Sequence, residues 1–294
     1  MHSPYSGTWT ALITPFKQDQ SIDEKALRHL VELQVEAKVT GIVPVGTTGE
    51  SPTTTAEEDF RIYKICVEQA RKRIKVMCGT GSNCTREAVE HTKNAQKAGA
   101  DCVLIVCPYY NKPTQEGLFL HYTEIAKNTK IPIFIYNIKG RTAVNMETET
   151  LKRLSENPKI IGVKEASGDL SQMKNVIKET PDEFTVLSGD DGLTLELIKL
   201  GGDGVISVAS NVLPKQITDF VNNSLNTNFK KAEKQNEYFK EIFKNLFIET
   251  NPIPVKYCLY RLKLCKLIYR LPLCPPNLNS QKILDQTLTA YNLT

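Results

Sequence analysis

The segment Lys159-Ile-Ile-Gly-Val-Lys-Glu-Ala-Ser-Gly-Asp169 sets the frame for the whole chain. Ile160, Ile161 and Val163 make a short, β-branched apolar run of the kind that forms a strand buried on both faces. Lys164 stands where that run stops, and Ser167-Gly168-Asp169 reads as a turn into a helix N-terminus. A lysine at the mouth of a buried parallel strand is desolvated without being sealed off. Burial disfavours the ammonium form, so its pKa falls from about 10.4 toward neutrality. A neutral amine there can attack a ketone and form a Schiff base. Taken alone, the segment also fits a strand-end lysine whose stem is buried and whose head reaches water. The rest of the chain favours the first reading.

On both sides of this segment, short apolar runs alternate with longer helical patterns. The runs cover residues 9–14, 41–45, 75–79, 102–106, 131–136, 160–163, 184–187 and 204–208. Amphipathic stretches at 23–39, 56–73, 85–98, 115–128 and 193–200 lie between them. In the first of these, Ala26, Leu27, Leu30, Val31 and Leu33 share one broad face, with Gln34 inside it. Eight strands, each followed by a crossover, within about 215 residues predict a closed parallel barrel of the TIM (β/α)8 type. An open doubly wound sheet is the structural alternative, but no G-x-G-x-x-G follows the first strand. From about residue 227 the pattern is helical only. The expected organisation is therefore an α/β catalytic barrel over residues 1–226 and a C-terminal helical extension over 227–294.

Composition narrows the function. The chain has 294 residues, 40% of them hydrophobic, enough for a large core. Its net charge of +4 is unevenly placed. Residues 227–294 carry 11 lysines and arginines against 5 acids, and residues 1–226 carry 26 against 28. Lysines and glutamates alternate over 230–244 as on a solvated helix face, and no basic run is dense enough for nucleic acid. No secretory segment is visible, and no apolar run approaches the ~20 residues that cross a bilayer. A cytoplasmic protein with neither nucleic-acid nor membrane partners is expected. The eight cysteines form no C-x-x-C pair, and several, such as Cys102 and Cys107, lie in apolar runs. Buried free thiols account for them better than disulfides or zinc. The four histidines are scattered, so no metal site is expected.

In a barrel of this kind, chemistry gathers at the C-terminal ends of the strands. After the second strand comes Gly46-Thr-Thr-Gly-Glu-Ser51, whose glycines and threonines offer N–H groups and hydroxyls to a small carboxylate. An ordinary glycine turn is the simpler reading. After the fourth comes Cys107-Pro-Tyr-Tyr-Asn-Lys-Pro113, where one phenol could relay protons. The fifth ends in Tyr136 and Asn137, followed by Arg141. The sixth carries Lys164, the seventh leads into Ser188-Gly-Asp-Asp-Gly192, and the eighth holds Ile206. Threonines, tyrosines, an arginine and a lysine on one face suit carbonyl chemistry through an imine, with a carboxylate held beside the lysine.

With these segments in place, the chain resembles the 4-hydroxy-tetrahydrodipicolinate (dihydrodipicolinate) synthase family of pyruvate-dependent class I aldolases. The resemblance is carried by Gly46–Ser51, Pro108–Gly117, Tyr136-Asn137, Arg141-Thr142, Gly162–Gly168 and Leu187–Asp191, in that order. It implies a lyase that condenses pyruvate with L-aspartate 4-semialdehyde in lysine biosynthesis, with no cofactor beyond a covalent imine on Lys164. It further implies that Thr47 and Thr48 bind the pyruvate carboxylate and that Tyr136, bonded to Thr47, relays protons. Tyr110 would join that relay from a neighbouring subunit, so a dimer or a dimer of dimers is expected. Arg141 would bind the carboxylate of the semialdehyde, and Gly189 and Ile206 would line the pocket. Relatives inhibited by lysine bind it at the dimer interface, and Ser51, Asn83, Glu87 and Tyr109 match that site. Ala56 and Asp59 stand where basic or aromatic residues often help, so inhibition is left as an open hypothesis.

Two departures accompany the match. Lys139 replaces the usual proline and Ala143 the usual glycine, which implies a freer loop around Arg141. In 257–264, Tyr257, Cys258, Tyr260, Arg261 and Lys263 replace small apolar residues, which implies altered packing, lower thermal stability or a changed oligomer. Two alternatives to the synthase remain: an aldolase of the same superfamily acting on a sugar acid such as N-acetylneuraminate or 2-keto-3-deoxygluconate, and a non-catalytic barrel with a binding role. Thr48, the paired tyrosines and Arg141 argue against the first, and the presence of every chemical residue argues against the second.

Overall fold

The computed structural model describes residues 3–294. Eight parallel strands close into a barrel in sequence order: β1 (Gly7–Ala11), β2 (Gly41–Val43), β3 (Lys75–Gly79), β4 (Cys102–Val106), β5 (Ile133–Asn137), β6 (Ile160–Glu165), β7 (Thr185–Ser188) and β8 (Gly204–Ser207). The ring is shut by β1 on β8, with Gly7 opposite Gly204 and Thr10 opposite Ser207. Helices fill the crossovers: α1 (Glu24–Glu36), α2 (Ala56–Ala70), α3 (Thr85–Ala98), α4 (Gln115–Lys127), α5 (Lys139–Thr142), α6 (Thr148–Ser155), α7 (Leu170–Glu179), α8 (Thr194–Lys199) and α9 (Pro214–Leu225). Then come α10 (Phe229–Asn245), α11 (Ile253–Arg261) and α12 (Leu278–Ala290).

Alternation along each strand builds two cores. Inward residues, among them Trp9, Met77, Leu104, Phe134, Leu187 and Ile206, fill the barrel. Outward residues such as Ile42, Val103, Ile135 and Val163 pack under the helices. Space for the largest inward rings comes from glycines on neighbouring strands. A Cβ at Gly41 would lie 2.3 Å from the Trp9 ring, and one at Gly162 would lie 2.4 Å from the Phe134 ring.

The strands differ from the sequence reading mainly at their ends. β1 runs from Gly7 only to Ala11, and β2 stops at Val43. β6 continues through Glu165, so Lys164 lies within the strand and is not the residue that terminates it. Pairing on both sides, to Tyr136 of β5 and Leu187 of β7, keeps the strand extended past the apolar run. In α1 the buried residues are Leu27, Leu30, Val31 and Gln34, while Ala26 and Leu33 are half-buried. Gln34 is tolerated on that face because it accepts a hydrogen bond from Thr10 Oγ1 at 2.7 Å. The bulky 257–264 side chains are taken up only in part, since Tyr260 and Lys263 are exposed. Tyr257 and Cys258 are core residues, and both Tyr257 and Arg261 bond Asp285 of α12.

Candidate active site

Tyr136 and Lys164 face each other across the β5–β6 ladder, both pointing into the mouth of the barrel. Lys164 is 6% exposed, and its Nζ sits 4.1 Å from the centre of the Tyr136 ring. No oxygen among the described residues accepts a hydrogen bond from that ammonium. Burial pulls the Lys164 amine down to about 7, the Asp191 carboxylate pushes it back up, and the Arg141 charge lowers it further. At neutral pH a large share of the amine is therefore free to act as a nucleophile. Tyr136 moves the other way: burial raises its phenol to about 12, offset in part by the Arg141 charge and a hydrogen bond with Thr47. The phenol therefore stays protonated near neutrality.

The Gly46–Ser51 loop is held from several directions. Thr14 Oγ1 donates to Gly49 O at 2.7 Å, and internal turns bond Gly49 N and Ser51 N to Gly46 O. Val45 and Glu50, at φ +55° and +58°, bracket the loop in left-handed geometry. The N–H groups of Thr47 and Thr48 donate to no acceptor among the described residues. Such unpaired, neighbouring amides form an anion-binding concavity. Beneath them Glu50 is fully buried and forms an ion pair with Lys256 of α11. Rather than capping the next helix itself, the loop ends in a 3-10 turn (Ser51–Thr53), and Thr55 caps α2 with Glu58.

Arg141 lies on α5, its Nη2 donating to the backbone carbonyl of Asn251 at 3.0 Å. Ala143 closes that helix at φ +60°, a conformation that costs an L-residue about 1–2 kcal/mol and glycine little. Gly189 is a requirement of space: a Cβ there would lie 2.5 Å from Ala166 Cβ and 3.0 Å from Lys164 Cε. Asp191 is buried under the loop after β8, accepting from Ser207 Oγ and from the N–H groups of Val208 and Ala209.

The structure brings Thr47, Thr48, Tyr136, Arg141, Lys164 and Gly189 around one narrow cleft of about 50 Å³. Ile206 belongs to the interior cluster below it, and Val208 supplies the cleft wall. A roomier cavity of about 400 Å³ shares Thr47, Ile138 and Arg141 with the cleft and extends to Ser51, Glu87 and Tyr109. Of the two, only the smaller space is lined by a lysine. Asn83 is not in the wall of that cavity, although its carbonyl accepts from Asn111. Tyr110 is 89% exposed at φ +71° and lines neither of these two cavities. Sequence reading had not singled out Asn251, Asp191 as a partner of Lys164, or the Glu50–Lys256 pair. Among the described residues, no group of three or more His, Cys, Asp and Glu could hold a metal ion, and no helix is long and apolar enough to cross a membrane.

Comparison with known proteins identifies the family. Residues 4–291 match the model of the dihydrodipicolinate synthetase family. The chain is 49% identical over 285 residues to the 4-hydroxy-tetrahydrodipicolinate synthase of Protochlamydia amoebophila, covering 96% of this chain and 95% of that protein. It superposes on dihydrodipicolinate synthase from Aquifex aeolicus with a TM-score of 0.97 at 43% identity, covering 98% of this chain and 99% of that one. The chloride-inhibited dihydrodipicolinate synthase from Acinetobacter baumannii, solved in complex with pyruvate, matches with a TM-score of 0.97 at 40% identity, covering 99% and 100%.

Proposed function

Because the chain belongs to the dihydrodipicolinate synthetase family, we propose that it condenses pyruvate with L-aspartate 4-semialdehyde through a Schiff base on Lys164. The product is 4-hydroxy-tetrahydrodipicolinate, on the diaminopimelate route to lysine. One observation carries this reading: a desolvated, unpaired Lys164 amine set over Tyr136, with the free N–H groups of Thr47 and Thr48 in the same cleft.

The Lys164 amine adds to the ketone carbon of pyruvate, and water leaves as the imine forms. Protonated, the imine draws electrons from the methyl group, which loses a proton and attacks the aldehyde. No cofactor is needed beyond that covalent bond. Thr47 and Thr48 hold the pyruvate carboxylate, and Tyr136 moves protons with Thr47 beside it. Arg141 takes the carboxylate of the semialdehyde. Gly189 leaves room for the lysine stem, and Ile206 forms the floor. Tyr110 completes the relay in a neighbouring subunit, in a cytoplasmic dimer or dimer of dimers; its exposure and left-handed backbone support that placement. Lysine binds at Ser51, Asn83, Glu87 and Tyr109 where it inhibits, a reading supported by three of these lining the larger cavity. The functional division falls at 226/227, after α9 ends the eighth β/α unit, with the helical extension buttressing the site.

The test is the initial rate with pyruvate and aspartate semialdehyde, followed through a coupled reductase. Cleavage of N-acetylneuraminate and 2-keto-3-deoxygluconate runs beside it. Turnover of the semialdehyde with neither cleavage is the expected result. Sugar-acid cleavage in its place would keep the imine and overturn the second substrate. Failure of borohydride to fix pyruvate on the protein would make the barrel a binding module.

A further inference from the structure

Residues 246–252 join α10 to α11 and send one buried polar side chain, Asn251, into the Lys164 cleft. Its Nδ2 donates to Thr48 Oγ1 at 3.0 Å, and its backbone carbonyl accepts from Arg141 Nη2 at 3.0 Å. Its Oδ1 is buried with no hydrogen-bond partner among the described residues, and the residue is 5% exposed. A single residue thus touches the groups assigned to both substrate carboxylates and keeps an idle acceptor beside them. Buried acceptors are nearly always paired, and an idle one in a substrate cleft awaits a donor. Ionised pyruvate has no N–H or O–H to offer. Aspartate semialdehyde carries an ammonium on the same carbon as the carboxylate assigned to Arg141.

We propose that Asn251 recognises the α-ammonium of the aldehyde substrate, its Oδ1 accepting an N–H while Arg141 holds the adjacent carboxylate. The pair then reads an α-amino-acid head group and discriminates against aldehydes that lack the amine. This inference rests on the synthase reading above.

The test compares wild type with Asn251→Leu and Asn251→Asp. It measures KM for aspartate semialdehyde, inhibition by succinate semialdehyde (which lacks the ammonium), and pyruvate half-saturation in borohydride trapping. Asn251→Leu is expected to raise KM for aspartate semialdehyde about 10-fold or more, with the other two constants within about 3-fold. Asn251→Asp retains an acceptor and should stay closer to wild type. Equal weakening of both aldehydes, or an unchanged KM, overturns the proposal, as does an aspartate variant as poor as the leucine one. Should Asn251→Leu fail to trap pyruvate, Asn251→Ser takes its place with the same expected split. Wild type that traps pyruvate but does not turn over aspartate semialdehyde would overturn the synthase reading itself, and this inference with it.

Discussion

Lys164 and Lys256 are both buried, and both ammonium groups sit over an aromatic ring, Lys164 at 4.1 Å from Tyr136 and Lys256 at 4.3 Å from Phe16. Their surroundings then diverge. Lys256 meets the buried Glu50 directly, and Glu50 also accepts from Arg270 N at 3.3 Å. Burial lowers its pKa while the Glu50 charge pushes back, so the ammonium is spent on holding two parts of the chain together. Lys164 has no such contact, and Asp191 reaches it only through space. Burial alone therefore does not make a nucleophile. A lysine becomes one where desolvation is left uncompensated, and becomes a cross-link where a carboxylate is buried with it.

Exchanging the roles is a severe test of this contrast. Lys164→Ala should reduce turnover at least about 10³-fold and abolish the borohydride adduct with pyruvate, read by protein mass, while leaving the melting curve nearly unchanged. Lys256→Met should do the opposite. It strands a buried carboxylate and should cost about 3–5 kcal/mol in denaturant unfolding, yet the folded fraction should still form the adduct on Lys164. Adding Glu50→Gln to it should restore much of the loss. If Lys256→Met abolished the adduct without affecting stability, the contrast would fail.

A third change sharpens the Lys164 side. Gly189→Ala places a methyl 2.5 Å from Ala166 Cβ and 3.0 Å from Lys164 Cε. Crowding of this kind costs about 1–3 kcal/mol, and here it should fall mainly on kcat by displacing the lysine stem. The smallest effect is electrostatic. Imine formation needs the neutral amine, so its rate should rise with pH through about 7 and then level. Asp191 favours the ammonium, so Asp191→Asn should move that limb to lower pH, by up to about one unit. A limb that moved upward would show that Asp191 acts on some other group.

Much of this site could be read along the chain because its signals are local. The β-branched run before Lys164 marks a buried strand, and period-2 alternation then fixes Tyr136 and Lys164 on one face. Asp169 caps α7 as the Ser-Gly-Asp turn implied, accepting from Ser171 N at 2.8 Å. What escaped the reading is non-local. Asn251 meets Thr48 across 203 positions and Lys256 meets Glu50 across 206, and no spacing rule joins residues so far apart. Strand ends were misplaced for a related reason: β6 outlasts its apolar run because neighbouring strands supply hydrogen bonds that hydrophobicity does not encode.

The long reach from Glu50 to Lys256 also bears on how the protein comes off the ribosome. At about 5–20 residues per second, the 206 residues between them take roughly 10–40 s to appear. Over that interval the barrel can gather its strands and Lys164 can take its place. Meanwhile the threonine loop has no counter-ion for Glu50, no Asn251 for Thr48, and no Arg270 bonded to Thr53 and Glu58. Catalytic competence is therefore one of the last properties a growing chain acquires, and chains truncated before Lys256 would hold Lys164 while the buried Glu50 of the threonine loop had no counter-ion.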